Sequence, residues 1–171
     1  LLSLPIIILS YSKIGFYGGF LSTMIAANLA IFSQYYLGKN LRKNKLRWNR
    51  FQNLIDKDVK IIITVDCGTL SFEPIDYAIS KGVDVIVLDH HQSDTKLPNA
   101  HSIINPNRLD DSSNLNYLCA AGVCFMFLIS LNKELRKIQW FIKNKIEEPN
   151  LINFLDLVSL GTVCDVVPLV G

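Results

Sequence analysis

Two short apolar runs set the frame of this chain. Lys60 to Val65 (KIIITV) is β-branched and almost without polar interruption, the pattern of a strand buried on both faces. Val83 to Leu88 (VDVIVL) is a second run of the same kind. Between them, Ser71 to Lys81 (SFEPIDYAISK) predicts a helix. Ser71 is placed to cap it, Glu73 and Pro74 suit its first turn, and Gly82 ends it. Strand, helix and strand in so short a span make a βαβ unit, with a right-handed crossover expected. His101 to Ile104 predicts a third strand, ended by Asn105 and Pro106, and Asn107 to Asn116 a polar loop. Tyr117 to Leu131 predicts an apolar helix buried on most sides, Lys133 to Lys145 an amphipathic helix, and Leu151 to Leu160 a further helix stopped near Gly161. The expected fold class is α/β, a parallel sheet with flanking helices.

The first 38 residues follow another pattern. Lys13 is their only charge, and Ile14 to Gly38 is uncharged and long enough to span a bilayer. Gly15, Gly18, Gly19, Asn28, Ser33 and Gln34 dilute its apolar character and weigh against a membrane span. A buried strand over Pro5 to Leu9 and a buried helix over Leu21 to Phe32 account for the same residues. The basic residues follow the apolar run, the wrong order for a cleaved leader. Six basic residues and no acid lie between Lys39 and Arg50, and Arg42 to Asp58 reads as a polar helix or loop. We divide the chain into a diverged apolar and basic region, 1–59, and a regular domain, 60–171.

Composition narrows the class. Half of the 171 residues are hydrophobic and 19% are charged, so the chain is globular and not disordered. A net charge of +2 does not by itself argue for nucleic acid. Cys67, Cys119, Cys124 and Cys164 each sit in an apolar run without a CxxC pair. Buried free thiols in a reducing cytosol are the expectation, hence a cytoplasmic protein and no zinc site.

The chemistry gathers at the strand ends. Asp66 directly follows the first strand and Asp89 the second, with His90 and His91 next on the same loop. In an open parallel sheet, ligands bind in the crevice beyond the carboxyl ends of the strands. An Asp after a strand is often only a turn cap, and a loop His pair is often only solvated. Two neighbouring strands delivering both carboxylates and both imidazoles to one edge make a better case. Such oxygen and nitrogen donors suit Mn²⁺, or Mg²⁺ where carboxylates dominate. Asp165 interrupts the apolar stretch GTVCDVVPL. It reads either as a buried acid satisfied by backbone amides or as a further ligand reaching the same crevice.

These segments resemble the DHH phosphoesterases, and the RecJ exonucleases in particular. The stretches that carry the resemblance are IIITVDCG (Ile61–Gly68), VIVLDHH (Val85–His91), IINPN (Ile103–Asn107), CAAGVCFMF (Cys119–Phe127) and LDLVSLGTVCDVVPL (Leu155–Leu169). The resemblance implies the N-terminal domain of a DHH phosphoesterase and a site for two divalent ions, usually Mn²⁺. Asp66, His90 and Asp165 would be metal ligands. Asp89, His90 and His91 would form the catalytic group, with His91 also holding the scissile phosphate. Asn105 would position the loop or the substrate, and Arg108 would contact phosphate, for which its forked guanidinium is suited. The implied activity is 5′ to 3′ hydrolysis of single-stranded DNA to mononucleotides, in DNA repair and recombination.

The sequence also departs from the family. An opening DxDxDG motif is expected near Lys13 to Thr23, which reads KIGFYGGFLST, and no acidic residue precedes Asp56. A second domain with a Gly-rich substrate motif and an oligonucleotide-binding fold would follow in RecJ proteins and is absent from these residues. The expectation is an incomplete domain whose remainder is lost or separately encoded. Another DHH phosphoesterase acting on short oligonucleotides, pyrophosphate or polyphosphate, and a non-catalytic remnant, are the alternatives.

Overall fold

The computed structural model describes residues 6–7, 51–55 and 59–169. A four-stranded sheet runs in the order β1 (Ile6–Ile7), β2 (Ile61–Val65), β3 (Asp84–Leu88) and β4 (Ser102–Ile104). β2, β3 and β4 are parallel, and β1 joins the edge antiparallel to β2. The three parallel strands stand where the apolar runs predict them. The expected strand over Pro5 to Leu9 is represented by Ile6–Ile7. The helix expected over Leu21 to Phe32 and the uncharged stretch Ile14 to Gly38 lie outside the described residues. Among the described residues, no helix is long and apolar enough to cross a membrane.

Alternation along the strands sends side chains to two cores, which is why these runs carry no polar face. Ile62, Val85 and Val87 face α1 (Phe72–Ser80), through Ile75 and Ala78, and helical residues 51–55, through Phe51 and Ile55. Ile63, Val65 and Leu88 face α2 (Ala120–Lys137), through Ala120, Val123, Cys124 and Leu128, together with Leu151. Burying a side chain of this size contributes about 1.5–3 kcal/mol, so the two layers fix the sheet from both sides.

Several boundaries differ from the pattern. Ser71 precedes α1 but makes no side-chain cap; its backbone N–H donates to the Gly68 carbonyl at 2.9 Å. Gly82, in the left-handed region at φ +73°, ends the helix as expected. The apolar and amphipathic helices expected on either side of Asn132 are one helix, α2. Asn132 is buried, with its Nδ2 3.5 Å from Glu148 Oε1, and the helix runs on through it. The break comes later, at Gln139 with φ +56°, before the short α3 (Trp140–Asn144). Tyr117 and Leu118 precede α2, whose N-cap is Cys119: its Sγ accepts from the Gly122 N–H at 3.4 Å.

A 3₁₀ turn (Leu151–Phe154) leads into α4 (Leu155–Cys164), which passes through Gly161 instead of stopping there. Gly161 is a contact residue. A Cβ added to it would lie 2.7 Å from the Ala121 Cβ, so only glycine lets α4 approach α2 this closely. Cys119 and Cys124 are buried as expected, but Cys67 is half-buried and Cys164 exposed. Burial pushes the Cys124 thiol well above its ordinary value, aided by the negative charge of Asp66, so it stays protonated.

Candidate metal centre

Strand register builds the site. Val65 pairs with Leu88, and Leu88 with Ile104. The residues just beyond them, Asp66, Asp89 and Asn105, therefore line the carboxyl edge of the sheet in a row. The ladder continues past the strand ends: Asp66 N–H donates to the Leu88 carbonyl at 2.9 Å, and Asp89 N–H to the Ile104 carbonyl at 3.0 Å. Asp66 leaves the strand with φ +63°, a left-handed conformation that Asp tolerates better than most residues. Gly68 follows at φ +121°, where a Cβ would meet Thr64 Oγ1 at 2.6 Å.

His90 sits at the centre. Its Nε2 lies 3.2 Å from Asp66 Oδ1 and 3.0 Å from Asp165 Oδ2. The atom is buried, and neither contact has hydrogen-bond alignment, so it has no satisfied partner despite the short distances. A buried nitrogen 3.2 Å and 3.0 Å from two carboxylate oxygens is an arrangement a cation, proton or metal, would complete. Oxygen ligands held roughly 2.1 Å from an octahedral ion lie about 3 Å apart, in keeping with these spacings. One ring nitrogen of His91 joins the group: single donor atoms of Asp66, His90 and His91 lie within 4.8 Å of one another. The donor set is mixed imidazole and carboxylate, hard enough for Mn²⁺ or Mg²⁺ and without a thiolate.

Electrostatics fit the same reading. Burial alone pushes the His90 imidazole down, but the carboxylates of Asp165 and Asp66 outweigh it and raise it to about 10. Without an ion, the cluster holds a proton in its place. Asp89 is almost fully buried, and burial favours its neutral form. Hydrogen bonds from His91 and Thr69 overturn that and hold it well below the usual carboxylate range. Its Oδ1 accepts from His90 N–H at 2.8 Å and lies 2.7 Å from His91 Nδ1; its Oδ2 accepts from Thr69 N–H at 3.0 Å. The bond to Asp89 raises the His91 imidazole, against its partial burial.

The residues singled out in the sequence divide into three groups. Asp66, His90, His91 and Asp165 meet in the crevice, and Asp165 reaches it from the end of α4 with its side chain 35% exposed, not as a buried acid satisfied by amides. Asp89 and Asn105 lie behind them. Asn105 is buried and donates both amide hydrogens, to Thr69 Oγ1 at 2.9 Å and to the His91 carbonyl at 2.8 Å. Arg108 stands apart, its Nε donating to Asp110 Oδ1 at 2.8 Å and its Nη1 to the Ile103 carbonyl at 2.7 Å. Sequence reasoning missed Thr69, which binds both Asp89 and Asn105, and Asn107, whose amide donates to the His90 carbonyl. A polar residue just after the Asp66–Gly68 turn was the available signal for Thr69. The region of the absent acidic motif, Lys13 to Thr23, lies outside the described residues.

Residues 18–162 match the model of the DHH family, N-terminal domain. The chain belongs to the DHH family. Within it, the chain is similar to the single-stranded-DNA-specific exonuclease RecJ of Escherichia coli, 44% identical over 113 residues, and to RecJ of Dickeya dadantii, 43% identical over 113 residues. Each match covers 66% of this chain and 20% of the relative, so the chain spans about a fifth of the length of these curated relatives. Among solved structures, RecJ of Thermus thermophilus in complex with Mn²⁺ is similar in fold, with a TM-score of 0.53 and 26% identity over 71% of this chain and 16% of that one. The three-stranded parallel sheet with its flanking helices is the DHH N-terminal fold.

Proposed function

We propose that this chain is part of the catalytic core of a RecJ-type exonuclease, a divalent-metal phosphodiester hydrolase that degrades single-stranded DNA from the 5′ end in repair and recombination, in the cytoplasm. The observation that carries the reading is the buried Nε2 of His90, without an aligned hydrogen bond, set between the carboxylates of Asp66 and Asp165. Similarity to RecJ proteins over two-thirds of the chain supports the substrate class.

In this reading Asp66, His90 and Asp165 hold the ion, Mn²⁺ or Mg²⁺, with His91 beside them. A divalent ion there supplies Lewis acidity toward water and phosphate oxygen. Asp89 fixes the His91 ring by accepting from Nδ1, which leaves Nε2 directed away from that bond and open to phosphate or the ion. Asn105 holds the loop backbone between the two histidines and β4. Arg108 is paired with both oxygens of Asp110, so a phosphate would compete with that carboxylate for its guanidinium.

A second reading is a domain that binds metal without hydrolysing DNA; residues 13–23, where the family's acidic motif is expected, hold no Asp or Glu. One experiment separates the two. Mn²⁺-dependent release of nucleotides from a labelled long single strand is measured for the chain and for Asp89→Ala, with di- and trinucleotides as a second substrate class. Release from the long strand that vanishes in the variant is expected for the exonuclease. Release from the short substrates alone would transfer the chain to the oligonucleotide-cleaving branch. Mn²⁺ binding without release from either would leave the metal-binding domain.

A further inference from the structure

The rim of the crevice is made by the loops that leave the carboxyl ends of the parallel strands, 66–71, 89–101 and 105–119. They carry two Lys or Arg side chains, Lys96 and Arg108. Arg108 is neutralised, its Nε and Nη2 paired with the two oxygens of Asp110. Lys96 is exposed and makes no ion pair among the described residues; its Nζ stands 5.8 Å from the centroid of the half-buried Phe72 ring. Phe72 opens α1, so this contact holds Lys96 on the carboxyl side of the sheet, although its loop must return to the other side for β4. Leu70 is 57% exposed on the turn that Ser71 N–H closes on the Gly68 carbonyl at 2.9 Å. The residue before it, Thr69, donates its N–H to Asp89 Oδ2 at 3.0 Å, so the turn borders the site directly. Two other acids of these loops are engaged locally: Asp94 accepts from Thr95 N–H and Oγ1, and Asp111 from Ser113 N–H and Oγ.

We propose that Leu70, Phe72 and Lys96 form a single-strand subsite on this rim: Lys96 pairs with one phosphate of the strand, and the apolar surface of Leu70 receives an unstacked base beside it. An exposed leucine alone says nothing, and neither does a lone surface lysine. Here an apolar side chain and a cation without an acid partner stand on neighbouring loops, one of them bonded to the site. A cation over an aromatic ring is held weakly at an exposed position, so a phosphate can replace the ring as its partner. Phe72 therefore keeps Lys96 poised without neutralising it, which is what Asp110 does to Arg108. Glu73, exposed beside Phe72, repels a second phosphate, so the subsite takes one. The apolar contact selects the strand. A duplex keeps its base faces stacked inside, whereas an unpaired strand offers them to a side chain. The inference rests on the exonuclease reading for its substrate, and it moves the phosphate contact on the rim from Arg108 to Lys96.

Fluorescence anisotropy of labelled oligo(dT), with Ca²⁺ in place of Mn²⁺ to hold back hydrolysis, reads binding by the full chain and by Lys96→Gln, Lys96→Arg, Leu70→Ser and Arg108→Gln. Lys96 and Leu70 are exposed, and circular dichroism checks that each variant is folded. Expected in Lys96→Gln is a plot of log affinity against log salt that is shallower by about 0.7, the share of one phosphate contact on a single strand, with the slope restored in Lys96→Arg. Expected in Leu70→Ser is an affinity lower by about threefold to tenfold, the worth of half-burying a leucine, with the slope unchanged and no loss on an abasic strand of the same length. An unaltered slope in Lys96→Gln, a larger change in Arg108→Gln, an equal loss on the abasic strand, or no binding by the starting chain overturns the subsite. Mn²⁺-dependent release from a long strand that persists beside any of these results keeps the exonuclease reading and removes the subsite alone. The expected binding pattern without release does the reverse: the subsite stands and the exonuclease reading falls.

Discussion

In the proposed site a proton and a divalent cation compete for one nitrogen, Nε2 of His90. With the His90 imidazole raised to about 10 by its two carboxylate neighbours, the ion-free cluster is protonated throughout the neutral range. An ion can coordinate Nε2 only as that proton leaves. The sign follows: below about pH 10, metal affinity rises as the pH rises, and binding releases close to one proton from His90. Calorimetry of Mn²⁺ binding near pH 7 in buffers of different ionisation heat checks this. Binding with no proton release would show that Nε2 is not a ligand. Asp66 and Asp89 were legible to sequence reasoning because each follows an unmistakable strand. The part played by Thr69 was not, since a threonine after a glycine turn is commonplace and only the fold brings it beside Asp89, twenty positions away.

At the scale of elements, the strands were readable and the helix ends were not. β-branched runs such as IIITV and DVIVL have few other ways to be buried, so β2 and β3 fall within a residue of expectation. The α2 break was misplaced: the helices expected to end at Leu131 and to begin at Lys133 run on through Asn132, which is buried and faces the half-buried Glu148. Gly161 was misread for a related reason: a glycine late in a helical pattern signals either an end or a close contact, and only the neighbouring helix decides. That contact has a measurable consequence. In Gly161→Ala, the new methyl meets the Ala121 Cβ and α4 must move away, carrying Asp165 from His90. Expected is a loss of about 1–3 kcal/mol in urea unfolding, typical of overpacking, together with weaker Mn²⁺ binding. Ala121→Gly in the same chain should recover most of both. Additive losses in the double variant would refute the contact as the cause.

Across the whole molecule, the proposed ligands come from three separated segments: the end of β2, the loop after β3 and the end of α4. The unfolded chain cannot assemble them, so an ion that binds the folded form stabilises all of it. At a Mn²⁺ concentration about a hundredfold above Kd, the stabilisation should be about 2.7 kcal/mol, visible as a rise in Tm that a chelator reverses and that His90→Gln largely abolishes. A Tm indifferent to Mn²⁺ would argue against a site shared between β2, β3 and α4. The row formed by Asp66, Asp89 and Asn105 adds something different. It exists only while Val65, Leu88 and Ile104 stay in their pairing, and a one-residue slip would turn each strand's side chains to the opposite layer. A slipped chain can still look folded by circular dichroism, with the same helices and strands, but it has no place for the ion. Metal capacity in a refolded preparation therefore counts the molecules whose strands found their correct partners, a measure of folding fidelity that the site supplies free of any assay for its chemistry.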